Sequence, residues 1–580
     1  MTNAPTRNRF ETSLKKTLSD YLAASLSEPM RPEVLLFSEN WPRTVSGKID
    51  LKRLPNPFLK ESASLGGLPR AGMEREVAEI WRQTLGLKQI GREDNFFRIG
   101  GNSLSITQLA FSLRRRFQCD VGFRELYQVP RFKDMAAYLE KYLSNAAQES
   151  HAAVPLMGVE PGQIEKDLHL ADGHVPCSCT MPAPLEPGSR IFMTGAPGQI
   201  GLWLLARLLE RKDLTVTCLT GPEDVDLAHE SLSPPLVGRM MAAGCWKEDY
   251  RESLHLLDGN LEQERFGLSV QTWDALSADT DLVLHSGLHV NLAQSYSFLR
   301  RVNVLGTVEV IRFCCDQKLK PLHFISSLSV IDHTARTNPA EPVKEDDPFD
   351  SYAGLTSGYI LTRWVMDQMV RRASARGLPT ALYRFTTVSG DTIGHRCDTG
   401  EIYWRLLRYC CKSGALPAGK RKVDMLPVDV AADMVLTIAA SPACYGKAYH
   451  ICNPEPEPWS VWENYLRRLG HQVETLPASE WISRLQKLPE TEHDDNSRIL
   501  LSMASKDGYD PIQALSIDMQ NTLACLNTRG FIIPRFSFEH FKACHEVMVR
   551  EGWLPEPGLL SPAFGTGSVG LLSEIGRAHV

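Results

Sequence analysis

Three groups of residues in this chain have the types and spacing to do chemistry. The first surrounds Ser103, in the stretch DNFFRIGGNSLS from Asp94 to Ser105. Gly100 and Gly101 let the backbone turn tightly and leave the hydroxyl unshielded. Such a serine is either part of a loop that caps a helix, through Asn102 or Ser103 itself, or a hydroxyl presented for covalent attachment. The second group is Thr194, Gly195, Gly198, Gln199, Ile200 and Gly201, in the arrangement TGxxGxxG. It follows an apolar run and opens a helical pattern. There the first glycine makes the turn, the second admits a pyrophosphate to the backbone, and the third lets helix and strand pack closely. The helix N-terminus then favours phosphate charge. The third group is Ser326, Ser327 and Ser329 in FISSLSV, with Tyr359 and Arg363 in SGYILTRWV. A cation four residues after a tyrosine shares its helix face. A lone candidate, Lys48 in SGKID, follows a glycine, where a lysine either holds a phosphate or carboxylate or is an ordinary turn residue.

These residues need elements to position them. Around Ser103, AEIWRQTLGL, ITQLAFSLRRRF and FKDMAAYLEKYL carry apolar side chains at three- and four-residue spacing, which predicts a small helical bundle. Ile106, Leu109, Ala110 and Leu113 are expected in its core, with Phe96 and Phe97 anchoring the loop. Arg114, Arg115 and Arg116 read as a solvated face. From Arg190 the pattern changes. RIFMTG, LTVTCLT, DLVLHSG and LHFISSLSV are β-rich and alternate with helical patterns, predicting a doubly wound parallel sheet.

The chain has 580 residues, enough for roughly three or four domains. A net charge of -6 gives no general reason to expect nucleic acid or an anionic membrane surface. The start, MTNAPTRNRFETSLKK, lacks the apolar run of a secretory signal, and no run of about 18 apolar residues exists to span a bilayer. The 14 cysteines include no CxxC pair, so neither a zinc ribbon nor a disulfide framework is expected, and Cys177 and Cys179 read as free thiols. HEVMV at His545 lacks the second histidine of a zinc protease. No metal site and a reducing cytoplasm are the expectations.

The GG-x-S-L sequence, led by two phenylalanines between bundle helices, resembles the phosphopantetheine attachment site of peptidyl carrier domains. The resemblance implies that Ser103 is esterified with 4'-phosphopantetheine by a phosphopantetheinyl transferase and that the arm carries an acyl thioester. WPRTVSGKIDLKRLP, from Trp41 to Pro55, resembles the last motif of adenylation domains, in which the lysine matched by Lys48 contacts the acyl-adenylate. Only the end of such a domain is present, so upstream adenylation and condensation domains are expected partners, and the chain reads as a C-terminal fragment of a nonribosomal peptide synthetase-like enzyme.

LHSGLHVN, NVLGT with Asn303, FISSLSV, SGYILTRWV, LPVDVAADMV and YHICNPEP follow the order found in extended short-chain reductases. Together they resemble the thioester reductase domains that terminate nonribosomal peptide synthetases and occur in aminoadipate and carboxylic acid reductases. The resemblance implies NADPH as cofactor. It also implies that Ser327 holds the thioester carbonyl, that Tyr359 protonates its oxygen, and that Arg363 favours the ionised phenol and holds the nicotinamide ribose. Hydride addition then gives a hemithioacetal that collapses to an aldehyde and the free thiol, and a second hydride yields an alcohol.

The chain departs from that family in places. Family members have lysine where Arg363 stands, and arginine is planar and larger. The usual arginine near Thr220 or Gly221, which grips the 2'-phosphate of NADPH, is absent, and Glu223 and Asp224 lie just beyond. Arg239 matches a second phosphate-contacting arginine that would compensate, and Asn260 replaces an aspartate. Two alternatives therefore stand beside reduction: redox-free release by Dieckmann cyclisation, and a carrier joined to a non-catalytic docking domain. The expected division is an adenylation remnant at 1–60, a linker at 61–72, the carrier at 73–145, a linker at 146–188, and the NAD(P)-binding reductase-like domain with a C-terminal substrate subdomain at 189–557. A tail at 558–580 follows. Its end, EIGRAHV, can be encoded by a common sequencing adapter and reads as artefactual.

Overall fold

The structure is a computed structural model. It describes residues 67–148 apart from 86, 88, 97–98, 100–108, 110–111, 114–115, 118–120, 122–125 and 127–128. It also describes residue 159 and residues 162–558 apart from 175–181, 222–234, 291–294, 332–340, 356, 419–421, 442 and 486–515. Lys48, Phe97, Ser103, Cys177, Cys179, Glu223, Asp224 and the EIGRAHV end lie outside the described residues. The chain divides into two compact units, Met1–Val154 and Pro155–Val580.

In the first unit, helices α1 (Met73–Leu85) and α2 (Phe132–Gln148) pack through apolar faces. Trp81, Phe96, Leu109, Leu113, Phe132 and Leu139 have no exposed surface. The Trp81 ring meets Phe96 edge-on at 5.0 Å and Phe132 at 5.2 Å. Burying a side chain of this size contributes about 1.5–3 kcal/mol. The segment leading to the Gly100–Gly101 pair is tied down: Phe96 N–H donates to Pro130 O at 2.7 Å, Phe132 N–H to Asp94 O at 2.8 Å, and Arg92 forks onto Glu74. The expected anchoring by Phe96 and the core positions of Leu109 and Leu113 are therefore observed. Arg116 is exposed and pairs with Glu76 at 2.8 Å, as a solvated face would.

The second unit is built on seven parallel strands. They are β1 (Arg190–Thr194), β2 (Thr215–Thr220), β3 (Leu254–Asp258), β4 (Leu282–His285), β5 (Leu322–Ser327), β6 (Thr380–Phe385) and β7 (Lys447–Ile451), in the spatial order 7-6-5-4-1-2-3. β1, β4, β5 and β6 are short apolar runs because both faces are covered. On one face lie α4 (Gln199–Leu209) and α9 (Val428–Ala439). On the other lie α6 (Gly306–Cys315) and α7 (Gly358–Ala375), whose Val310, Trp364 and Met369 are buried against Phe192 and Phe324. A short α5 (Pro235–Ala242) follows β2. A further core, centred on Trp404, Trp462 and Phe541, joins α8 (Ile402–Ser413), α10 (Trp459–Arg468) and α11 (Phe538–Arg550). It is the C-terminal subdomain.

The stretch 146–188, expected as a linker, carries structure in its described parts. Helix α2 runs on to Gln148, and residues 163–168 form α3, a single short helix. Asp167 on α3 is fully buried and accepts from Arg300 at 2.6 Å and from the Tyr296 hydroxyl at 2.6 Å. Asp172 accepts from Arg372 and Arg376. These ion pairs and the burial of Ile164 and Ala171 make this segment part of the second unit.

Candidate functional site

Strand order reverses between β1 and β4, and the crevice beyond their carboxyl ends is where open sheets of this kind bind ligands. Thr194 ends β1 opposite His285 on β4. Gly195 follows with φ 78°, and a Cβ there would stand 2.3 Å from the carbonyl carbon of Ser286. At Gly201 a Cβ would meet the Gly195 oxygen at 2.1 Å. The first and third glycines thus do what their spacing predicts. Gly198 is exposed and precedes the first turn of α4, formed by Gln199, Ile200 and Gly201.

This cradle fits a dinucleotide by its own geometry. Side chains are barred at Gly195 and Gly201, and a helix N-terminus opens at Gly198. Two buried atoms at its edge, Gln199 Oε1 and Thr220 Oγ1, have no hydrogen-bond partner in the protein. Arg239 on α5 is exposed and donates to Pro197 O in the glycine loop at 3.2 Å, so its guanidinium stands at the cradle. Asn260, after β3, is turned to structural use: its side-chain oxygen accepts from Glu262 N–H at 2.8 Å.

The cradle is braced from beneath. Thr194 Oγ1 lies 2.7 Å from His285 Nδ1, and His285 Nε2 lies 3.1 Å from Thr307 Oγ1. Burial pushes His285 down to about 3, so the ring is neutral and can both donate and accept. Thr307 donates to Asn303 O at 2.7 Å. Asn303, in a π-helical turn, donates through Nδ2 to Thr362 Oγ1 at 3.0 Å, and Thr362 donates to Tyr359 O at 2.8 Å. A chain of buried polar groups therefore runs from β1 to the helix that carries Tyr359. Thr362 was not singled out from the sequence, although its place three residues after Tyr359 was a readable signal.

Tyr359 lies in the first turn of α7. Arg363, one turn on, donates from Nη1 to its phenolic oxygen at 2.7 Å. The two serines at the end of β5 divide their tasks. Ser326 is buried and donates to Asp367 Oδ2 at 2.6 Å, which commits its hydrogen. Ser327 accepts from Ser329 N–H at 3.1 Å, which leaves its own hydrogen free to donate. Asp367 is also gripped by Arg384 at 2.9 and 3.0 Å, with both side chains fully buried. Glu401, just before α8, was also missed. Burial and the nearby Asp398 push its carboxyl up to about 7, while Arg363 and Arg405 pull the other way. No sequence pattern links it to Arg363.

With this geometry in place, residues 75–139 match the family described as phosphopantetheine attachment site, and residues 193–435 match that described as male sterility protein, an NAD-binding family. The chain joins a phosphopantetheine carrier domain to a male sterility-type NAD-binding domain. These domains take a covalent phosphopantetheine arm and a nicotinamide dinucleotide. The chain is similar to one component of the linear gramicidin synthase of Brevibacillus parabrevis, 28% identical over 94% of this chain and 10% of that protein. It is similar to the L-2-aminoadipate reductase large subunit of Candida glabrata, 26% identical over 88% of this chain and 39% of that protein. The chain therefore spans less than half the length of either relative. Its NAD-binding domain resembles the solved terminal R domain from the myxalamid PKS-NRPS biosynthetic pathway, at 27% identity and a TM-score of 0.61, covering 68% of this chain and 99% of that one. Among the described residues no helix is long and apolar enough to cross a membrane, and the described cysteines are free thiols.

Proposed function

We propose that the chain carries an acyl or peptidyl thioester on a phosphopantetheine arm at Ser103 and releases it by NADPH-dependent reduction to an aldehyde or alcohol. The observation that carries this reading is the phenol of Tyr359, held at 2.7 Å by the Arg363 guanidinium on a helix of the dinucleotide-type sheet. Bound NADPH supplies the hydride that reduces the thioester carbonyl.

The side chains have separable tasks. Ser327 donates its free hydrogen to the carbonyl oxygen and orients it. Tyr359 gives its phenolic proton to that oxygen as negative charge develops, a role that contributes typically 10²–10⁴-fold. Arg363 holds the phenol in place through its 2.7 Å contact, and its positive charge faces the oxygen from which the proton leaves. Gly195, Gly198 and Gly201 with Gln199 and Ile200 accept the pyrophosphate, and Arg239 takes the 2'-phosphate in place of the missing second-strand arginine. Asn260 shapes the turn at the end of β3. A phosphopantetheinyl transferase must install the arm, and upstream adenylation and condensation domains, to which the Lys48 motif points, must load it.

The test is to load the purified chain with an acyl-pantetheine and follow NADPH absorbance together with product. Consumption with aldehyde formed supports the proposal. Release without consumption would point to cyclisation, and no release to a docking role.

A further inference from the structure

Outside the site just described, the loop between β6 and α8 meets helix α11 in a cluster of three potential metal ligands, His395, His540 and Cys544, with Cys397 close by in sequence. His395 and Cys397 lie on the loop, and His540 and Cys544 stand four residues apart on one face of α11. The ligand atoms of His395, His540 and Cys544 all lie within 4.8 Å of one another. Cys544 Sγ is 3.5 Å from His540 Nε2, and the Cys397 thiol donates to His395 O at 3.7 Å. The His395 and His540 rings meet at 5.3 Å.

We propose that His395, Cys397, His540 and Cys544 form a structural zinc site that fastens this loop to the C-terminal helix. Two imidazoles and two thiols are the donor set of closed, tetrahedral zinc centres, and their softness favours zinc over magnesium or calcium. With Zn–N near 2.0–2.1 Å and Zn–S near 2.3 Å, neighbouring ligand atoms would be about 3.3–3.8 Å apart. The three clustered atoms need only a small closure to reach this, and Cys397 must turn its thiol away from His395 O to complete the set.

Two features of the loop fit a metal at this point. His395 Nδ1 is buried without a hydrogen-bond partner, which costs about 1–3 kcal/mol if left so. The His395 backbone is also held at φ 54°, a conformation that residues other than glycine rarely adopt. The surrounding loop is arranged to hold that conformation. Asp391 accepts from the N–H groups of Ile393, Gly394 and Arg396. Thr392 N–H donates to Asp429 on α9, and Arg396 donates to Ala242 O at 2.6 Å. His540 Nε2 also lies 2.9 Å from Ser389 Oγ, a contact the metal would replace. No spacing motif announced the site, because its two halves lie far apart in the sequence.

The test is elemental analysis of the full-length chain, incubated with zinc under reducing conditions and dialysed. About one zinc ion per chain is expected. His395→Asn, chosen because asparagine tolerates the left-handed backbone, should reduce zinc to the blank level while the circular dichroism spectrum is retained. Cys544→Ala should do the same, and Cys525→Ser, outside the cluster, should leave zinc in place. Cobalt in place of zinc should give thiolate charge-transfer absorption that Cys397→Ala weakens. Wild-type chain free of zinc, zinc unaffected by His395→Asn, or a Cys397–Cys544 disulfide found by peptide mapping of the metal-free reduced-and-dialysed chain would overturn the proposal.

Discussion

Arg363 Nη1 donates to the phenolic oxygen of Tyr359 at 2.7 Å, across one turn of the same helix. Guanidinium is wider than the ammonium that the family resemblance implies at this position, yet its fork reaches the phenol directly. Replacing Tyr359 by phenylalanine should slow reduction of the tethered thioester by about 10²–10⁴-fold. Loading of Ser103 should be unchanged, since the two groups lie in different units. Arg363→Lys should turn over at least as fast as the parent, because an ammonium keeps the charge and is the group the family resemblance implies here. Single-turnover NADPH oxidation measures both, and a slower lysine variant would show that the guanidinium is fitted to its task.

Arg239 is tied to the glycine loop through Pro197 O and is otherwise exposed. If it takes the 2'-phosphate, Arg239→Ala should raise the KM for NADPH about tenfold or more, as expected for loss of one charge-assisted contact, and change the KM for NADH little. Equal effects on the two cofactors would assign Arg239 a role in holding the loop alone.

The Arg384–Asp367 pair lies beneath the site with no exposed surface and also fixes Ser326. Arg384→Met leaves a buried carboxylate unpaired and should cost about 3–5 kcal/mol in denaturant unfolding. The double variant Arg384→Met with Asp367→Leu should recover much of that loss, since no uncompensated charge remains. Failure of the double variant to recover would mean that the contacts of Arg384 with Glu345 O and of Ser326 with Asp367 matter more than the ion pair.

Burial pushes the Asp424 carboxyl up to about 7, although it accepts from Asn453 N–H at 2.8 Å. Its folded value is above its unfolded one, so the folded state holds the extra proton. Stability is therefore lost as pH rises from about 4 to about 7 and is level above that, as far as this group is concerned. Asp424→Asn keeps an acceptor oxygen and cannot ionise. Its stability relative to the parent should rise across that window by about 2 kcal/mol or more. Thermal unfolding measured at intervals from pH 5 to 8.5 reads the difference directly, and a gap independent of pH would contradict the shift.

What the sequence made legible was local. The glycine spacing specified a turn at Gly195 and a close packing at Gly201, and both are found. The four-residue step from Tyr359 to Arg363 placed both on one face, and the three- and four-residue apolar spacing put Leu109 and Leu113 in the bundle core. What stayed hidden depends on distant pairing. Asp167 sat in a stretch read as linker because its partners, Tyr296 and Arg300, lie on a different element well over a hundred residues away. Ser326 and Ser327 are adjacent and chemically identical, and only the buried Asp367 shows which hydroxyl is already committed. Glu401 and the His395–Cys544 cluster were likewise invisible until the chain was folded.

The most direct test of reductive release from Ser103 is intact-protein and peptide mass spectrometry on chain pantetheinylated by a transferase and loaded with an acyl group. The arm and its cargo should be found at Ser103, and Ser103→Ala should carry neither. Adding NADPH should remove only the acyl mass, leave the bare arm, and yield one aldehyde or alcohol per acyl group lost. An unmodified Ser103 peptide under conditions that modify a control carrier, or acyl loss that proceeds equally without NADPH, would contradict the account.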